Sequence, residues 1–177
     1  MTGRGQAGPV RSGPPDAGPE VVPGEIDRIV AGLHHDPHSV LGAHPGPGGV
    51  VVRALLPLAA TAAVVLADGR RFPLAHRHEG MFDGTLPLTE VPDYRIAVTY
   101  PGPEPGSTMP EVVVDTPYRF LPTLSATDLH LIGEGRHEEL WRVLGAHVRE
   151  YGADGAGFGK VTGTAFAVWA PTARFGA

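Results

Sequence analysis

Four histidines in one short stretch are the first residues of the sequence that could do chemistry, as ligands of a metal ion. They are His34, His35, His38 and His44. A spacing of four residues would place His34 and His38 on one face of a helix, as in many zinc sites. Pro37 lies between them, however, and disfavours helical backbone at the residue before it. We therefore expect these histidines to pack and to cap, and we predict neither a metal nor a cofactor.

Carboxylates are the second group with chemical potential. The acidic residues of the central and later parts of the chain are scattered: Asp83, Asp93, Glu104, Glu111, Asp115, Glu138 and Glu139. Their spacing does not suggest a pair facing one cleft, and the sequence holds neither a nucleophile-elbow nor a phosphate-loop motif. We predict no catalytic residue within this chain.

The histidine stretch predicts a change of local structure. Asp36 before Pro37 is typical of the start of a short helical turn, with Asp36 as N-cap. Gly42 then provides a residue that tolerates left-handed backbone and ends the turn. Val40 and Leu41 are expected to pack inward. Before this stretch, apolar residues spaced i, i+3, i+4 and i+7 over residues 25–33 predict an amphipathic helix.

Hydrophobic alternation after His44 is typical of strands. Strands are predicted at 50–56, 62–67, 70–74, 81–88, 94–100 and 111–115. Asp68-Gly69 favours a tight hairpin, Pro73 favours an edge position for the third strand, and Gly84 suggests a bulge. Turn signals every 8 to 12 residues or so indicate an antiparallel sandwich.

Helical periodicity returns beyond residue 124. Ser125 and Asp128 resemble a capping pair that opens a short helix. A second helix is predicted from Arg136 onward, with Trp141 on its apolar side, followed by a Gly-rich link and a strand over 164–169. We predict four regions: a disordered Gly/Pro-rich tail at 1–24, a β-sandwich domain at 25–124, a helical linker at 125–160, and the first strand of a truncated second sandwich at 161–177.

Composition narrows the class of protein. The chain has 177 residues with a formal net charge of −5 and no cysteine. This charge does not attract polyanions, so nucleic acid is not an expected partner. No apolar run reaches the length of a membrane-spanning helix, and no signal pattern opens the sequence. We expect a cytoplasmic protein without a membrane partner.

Several strings in order resemble the amino-terminal part of bacterial 1,4-alpha-glucan (glycogen) branching enzymes. The first is His34-His35-Asp36-Pro37-His38-Ser39-Val40-Leu41-Gly42-Ala43-His44. The later ones begin at Asp93 (Asp-Tyr-Arg-Ile), Asp115 (Asp-Thr-Pro-Tyr-Arg-Phe-Leu-Pro-Thr-Leu), Asp128 (Asp-Leu-His-Leu), Gly133 (Gly-Glu-Gly-Arg-His-Glu), Leu144 (Leu-Gly-Ala-His) and Phe166 (Phe-Ala-Val-Trp-Ala-Pro). Together they cover about residues 25 to 174.

The resemblance implies an enzyme of glycogen synthesis, a glycosyltransferase whose full chain continues beyond these residues. It implies an immunoglobulin-like sandwich of carbohydrate-binding-module type, a second sandwich, and a barrel that forms α-1,6 branches. A retaining glycosyl transfer needs two carboxylates about 5 Å apart, which the resemblance places on that barrel. This chain alone is therefore expected to be inactive, with the second sandwich and barrel as its partners.

Binding of α-1,4-glucan or glycogen is the activity that this region could contribute. Sugars stack on aromatic rings, and the candidate platforms are Tyr94, Tyr100, Tyr118 and Trp141. For each of them, a place in the core or at an interface is the competing interpretation, since aromatics are scarce. The alternative function is an immunoglobulin-like structural or interaction module without sugar binding.

Overall fold

The computed structural model describes residues 24–152 and 157–171. The predicted disordered tail therefore lies outside the described residues, apart from Gly24. Helix α1 spans Glu25–Val30 and ends earlier than predicted. Gly32 adopts φ 69°, and the Leu33 N–H donates to the carbonyl of Arg28 at 2.7 Å, which closes the helix with a left-handed cap. Leu33 is consequently 66% exposed and does not extend the apolar face.

A 3₁₀ turn at Pro37–Ser39 follows α1. Asp36 occupies the N-cap position, but its side chain makes no capping hydrogen bond, so the predicted capping role is wrong for the carboxylate. The predicted inward packing is confirmed, because Val40 and Leu41 are 3% and 2% exposed. They form a small core cluster with Ile29 of α1 and with Met81.

Seven antiparallel strands form one strongly curled sheet. They are β1 (Gly42–Gly46), β2 (Gly49–Leu55), β3 (Thr61–Leu66), β4 (Arg71–His78), β5 (Met81–Leu86), β6 (Tyr94–Thr99) and β7 (Val112–Val114). Their order across the sheet is β1-β2-β5-β4-β3-β6-β7. β4 joins the two halves, since residues up to Leu74 pair with β3 and residues from Ala75 pair with β5.

The main core lies between the two halves of the curled sheet. It is built from the alternate residues of the strands, among them Val52, Val64, Phe82, Tyr94 and Ile96. All of these are at most 1% exposed. The strand predicted at 94–100 and the mainly β, sandwich-like fold are confirmed. None of the helices in the described ranges is long and apolar enough to span a membrane.

Three local expectations about the sheet are corrected. Residues 42–46 form a strand that the sequence did not predict, because β2 offers them a paired edge. β4 is internal to the sheet; Pro73 pairs with Ala63 and lies outside the part of β4 that pairs with β5. Gly84 is in regular register with Val52, and the irregularity lies instead between His76 and His78.

The region after the sheet contains one of the two predicted helices. A 3₁₀ turn at Pro117–Arg119 leads to helix α2 at Ala126–Gly133, whose predicted capping pair is confirmed as a full capping box. The predicted helix from Arg136 is wrong. A 3₁₀ turn at Leu140–Arg142 leads instead into β8 (Gly145–Tyr151), which pairs with β9 (Val161–Ala167). The second region thus opens with a hairpin rather than a lone strand, and the linker is only partly helical.

Two segments of the chain share one local architecture. We name them the first hairpin unit (residues 25–55) and the second hairpin unit (residues 126–169). Each has a helix, a 3₁₀ turn, a left-handed glycine and an antiparallel hairpin; the glycines are Gly42 with φ 97° and Gly145 with φ 98°. Ala43 faces Val52 across the first hairpin, and Ala146 faces Phe166 across the second.

Histidines repeat the same contacts in both units. His34 Nδ1 accepts the Asp36 N–H at 3.1 Å, and His137 Nδ1 accepts the Glu139 N–H at 3.2 Å. Their other ring nitrogens face carboxylates, at 3.8 Å from Glu25 and at 3.0 Å from Asp128. These residues hold the turn to the helix before it, and for His34 this is the structural role that the sequence predicted.

A second pair of histidines, each two residues after the hairpin glycine of its unit, completes the likeness between the two hairpin units. His44 Nε2 donates to the carbonyl of Leu41 at 3.1 Å, and His147 Nε2 donates to that of Leu144 at 2.9 Å. Within the described ranges, the structure does not bring three His, Asp or Glu side chains into a group that could hold a metal ion.

Candidate binding surface where the hairpin meets the sheet

Tyr94 does not offer its ring to a ligand. It belongs to the main core and is 1% exposed. Burial raises the pKa of its phenol to about 12. Its position on the inner face of β6 follows from the alternation of the strand, and this removes it from the candidate sugar platforms.

Tyr100 and Tyr118 are both half-buried. Tyr100 packs against the main core, and its carbonyl accepts the Met109 N–H at 2.8 Å. Tyr118 lies beside the smaller core cluster and meets the ring of His38 edge to face at 4.9 Å. Tyr118 therefore borders the surface, while Tyr100 mainly supports the sheet.

Trp141 is exposed, whereas the helical periodicity predicted that it lies on the apolar side of a helix. It lies in the 3₁₀ turn of the second hairpin unit and is 68% exposed. The guanidinium of Arg142 stacks over its ring at 4.9 Å. The four aromatic candidates thus do not converge on one site.

An ion-pair network joins two segments that are distant in sequence. Arg119 is central, with only 6% of its side chain exposed. It donates to Asp93 through Nε at 2.9 Å and to Asp115 through Nη1. Arg95 donates to the same Asp115 oxygen at 3.2 Å. Two arginines and two carboxylates therefore compensate one another beside β6.

The β8–β9 hairpin contacts the sheet domain at this network. The N–H of Phe158 donates to Asp93 Oδ2 at 2.8 Å, and Arg95 lies over the Phe158 ring at 4.6 Å from its centroid. Phe120 and Tyr151 contact each other at 4.7 Å between ring centres. The hairpin is thus attached at one end by hydrogen bonding, cation–π contact and aromatic packing.

A furrow runs along this junction. One cavity of about 580 Å³ is lined by Tyr118 and His38, and a second of about 360 Å³ is lined by Tyr151. The two share Phe120 and Leu121, so they adjoin each other. We name this surface the junction furrow. Its volume is in the range of small-ligand sites.

The sequence pattern does not point to three residues of this junction: Phe120, Tyr151 and Phe158. A signal for part of it existed, because two of the strings that carry the family resemblance begin at Asp93 and Asp115. The structure brings these strings together through Arg119. Their pairing depends on sheet topology, which neither string specifies on its own.

The fold and this surface define a β-sandwich domain with a groove of ligand size. The family model described as alpha-1,4-glucan branching enzyme GlgB, N-terminal domain, matches residues 22–118. The chain belongs to this family. The expectation drawn from the sequence strings is confirmed.

Relatives with this name match beyond the family domain. The 1,4-alpha-glucan branching enzyme GlgB of Thermobifida fusca is 57% identical over 150 residues, which is 85% of this chain and 19% of that protein. The protein of the same name from Mycolicibacterium paratuberculosis is 51% identical over 153 residues, 86% of this chain and 19% of that protein. The chain thus spans about 19% of the length of these relatives.

Among solved structures, the pullulanase of Paenibacillus barengoltzii in complex with maltohexaose and alpha-cyclodextrin matches with a TM-score of 0.29 and 23% identity. The match covers 41% of this chain and 14% of that chain. A likeness at this level does not bear on fold or function.

Proposed function

We propose that this chain is the N-terminal accessory region of a 1,4-alpha-glucan branching enzyme of cytoplasmic glycogen synthesis. The observation that carries the proposal is the 57% identity to a GlgB protein over 150 residues, which extends past the family domain. In this proposal, the carboxylates that perform glycosyl transfer belong to a barrel beyond the residues described here. The second hairpin unit begins the sandwich that links the two.

Binding of α-1,4-glucan is the proposed contribution of this region. Of the aromatic candidates, Tyr118 and Trp141 present ring surface, whereas Tyr94 is enclosed in the core. Tyr100 remains a candidate only through its half-buried edge. Aromatic rings favour the apolar faces of glucose units, and neighbouring polar groups hold the hydroxyls.

A scaffolding function without sugar binding is the second candidate. The exposed apolar side chains of the second hairpin unit favour it: Val148 is 73% exposed, Phe166 is 76% and Trp169 is 58%. Such a face is typical of a surface that packs against further protein. In this case the region would position the rest of the enzyme.

A chimera tests the proposed identity. The corresponding residues of the Thermobifida fusca protein are replaced by residues 25–171 of this chain, and branching of amylose is measured through the rise in α-1,6 linkages. We expect the chimera to retain branching and the isolated 177-residue chain to show none. Branching by the isolated chain would contradict the proposal, as would a soluble, folded chimera without activity.

Affinity for glucan separates the two candidate functions. Retention of the isolated chain on immobilised glycogen, with elution by maltoheptaose, is expected if the region binds glucan. If the folded chain is not retained on immobilised glycogen, the result supports the scaffolding function instead. Cellohexaose, which has β-linkages, serves as the control for elution.

A further inference from the structure

We propose that the junction furrow is the glucan subsite of this chain and that a single α-1,4-glucan segment lies along it. This rests on the proposed function, and it replaces separate aromatic platforms by one surface. The furrow crosses from the first hairpin unit, at His38, to the β8–β9 hairpin, at Tyr151. Both parts of the described chain therefore contribute to one site.

Apolar and aromatic surface along the furrow suits the faces of glucose rings. Tyr118 and Tyr151 stand toward opposite ends, and Phe120 lies between them in both cavities. Leu121 and Val91 also line both, and they are 82% and 49% exposed. Exposed apolar side chains beside aromatic rings are typical of an interaction surface, and ligand-binding grooves are one class of such surfaces. A glucan segment offers the complementary apolar faces.

The charges of the furrow favour a neutral ligand. At the hairpin end, Asp93 is held by Arg119, which also pairs with Asp115. These groups compensate one another, and Arg119 is 6% exposed, so it does not present a free cation to a phosphate. A neutral polyol therefore fits this end better than a phosphorylated compound.

Polar groups at the other end are suited to hydroxyls. Asp36 is one of the residues that line the larger cavity, and its carboxylate makes no capping hydrogen bond, so it can accept from sugar O–H groups. Ser39 lies in the same wall, and its hydroxyl is engaged by the carbonyl of Asp36 at 2.7 Å. A carboxylate at this place would also repel anionic ligands.

Trp141 provides the contrast. It is the most exposed of the proposed aromatic platforms, yet it lies in the turn at 140–142, and its ring is already stacked by Arg142. It does not line either cavity of the junction furrow. This difference allows the furrow and an isolated tryptophan platform to be tested against each other.

The test uses the full 177-residue chain and titration calorimetry with maltoheptaose. Phe120→Ala is expected to weaken binding about three- to tenfold, the range measured for single aromatic contacts. Leu121→Ser is the second variant, because an 82% exposed side chain can be replaced without unfolding the domain. It is expected to weaken binding about threefold through lost apolar contact. Phe166→Ala removes a 76% exposed aromatic ring that lines neither cavity; it is the matched control and should leave the affinity unchanged, whereas Trp141→Ala tests the competing tryptophan platform.

The outcomes separate the furrow from the proposed function. Wild-type binding that is lost in Trp141→Ala but kept in folded Phe120→Ala and Leu121→Ser would overturn the furrow and leave glucan binding intact. Absence of maltoheptaose binding by the folded wild-type chain would overturn both. Equal affinity for maltoheptaose and cellohexaose would also overturn the furrow as an α-glucan subsite.

Discussion

The two hairpin units of this chain have nearly the same local structure but very different surroundings. Leu41 of the first unit is 2% exposed, whereas the corresponding Leu144 is only half-buried. Across the hairpins, Val52 is 0% exposed and the corresponding Phe166 is 76% exposed. The backbone pairing that surrounds these residues is equally regular in both units.

The difference lies in what covers each hairpin. β2 pairs with β1 on one side and with β5 on the other, and the rest of the curled sheet covers its inner face. β9 pairs only with β8 in the described part of the chain. A two-stranded hairpin is marginally stable in water unless other elements bury one of its faces. The two units thus share the same backbone pairing, and they differ in how much further structure covers that pairing.

Removal of a buried phenylalanine should produce the largest effect. Phe82 on β5 is 1% exposed and packs against the first hairpin unit, so Phe82→Ala is expected to cost about 3–5 kcal/mol. Phe166→Ala on β9 makes the same chemical change at a 76% exposed ring and should stay within about 0.5 kcal/mol. Urea unfolding followed by far-UV circular dichroism measures both. Equal losses would show that the second unit is as well covered as the first.

Left-handed glycines provide a closer comparison, because Gly42 and Gly145 have φ of 97° and 98°. Alanine at either position carries a backbone strain of about 1–2 kcal/mol. At Gly42 the new Cβ would lie 2.5 Å from the carbonyl oxygen of Tyr118, while at Gly145 it would meet nothing within 4 Å. Gly42→Ala should therefore cost a further 1–3 kcal/mol or so through overlap. Urea unfolding measures Gly42→Ala, and amide exchange in β8 measures Gly145→Ala. Equal losses of stability in Gly42→Ala and Gly145→Ala would contradict this expectation.

Helix caps distinguish the units by their response to pH. The hydroxyl and N–H of Ser125, together with His137, hold the pKa of Asp128 at about 2. Because the pKa of the Asp128 carboxyl is depressed, the cap stabilises α2 fully at pH values above about 4, the ordinary aspartate pKa. This stabilisation is lost as the pH falls toward 2. The N-cap of helix α1 is Gly24, which has no side chain to cap the helix, so α1 should not share this dependence.

Amide exchange of the first turn of α2 between pH 5 and about pH 2 tests this cap. Protection should decline over that range in the wild-type chain and be low throughout in Ser125→Ala, which removes an N-cap contribution of about 1 kcal/mol. The carboxyl carbon shift of Asp128 should titrate in the same range. A midpoint near the ordinary aspartate value would contradict the prediction.

Much of the sheet could be predicted because strand periodicity is local. The alternation from Tyr94 to Tyr100 predicted a strand that the structure contains, and the spacing of Ser125 and Asp128 identified a cap. The helix predicted after Arg136 was wrong because Leu140, Leu144 and Val148 have helical spacing, whereas pairing with β9 decides the structure. That pairing involves residues well beyond the local window.

The candidate surface was less predictable for a related reason. Composition identified the aromatic residues, but an aromatic ring on a strand can face the core or the solvent, and Tyr94 faces the core. The junction furrow depends on Asp93, Arg119 and Phe158, which meet only after the sheet has curled and the hairpin has docked. Their partners are defined by topology rather than by spacing.

The smallest expected effect concerns the contact between the two regions. Phe158→Ala removes the ring that Arg95 covers at 4.6 Å, a contact worth about 0.5–1 kcal/mol, but leaves its N–H bond to Asp93. The hairpin should therefore loosen while the unfolding free energy of the sheet domain stays within about 0.5 kcal/mol. The ring resonances of Tyr151, which contacts Phe120 at 4.7 Å, report docking directly.

Phe166→Ala is the matched control, since it removes a phenylalanine from the same hairpin at an exposed position, and it should leave these resonances unchanged. If both variants shift the Tyr151 signals equally, the hairpin is held by its own fold rather than by the junction. If neither does, the bond from the Phe158 N–H to Asp93 suffices to hold the hairpin against the sheet domain.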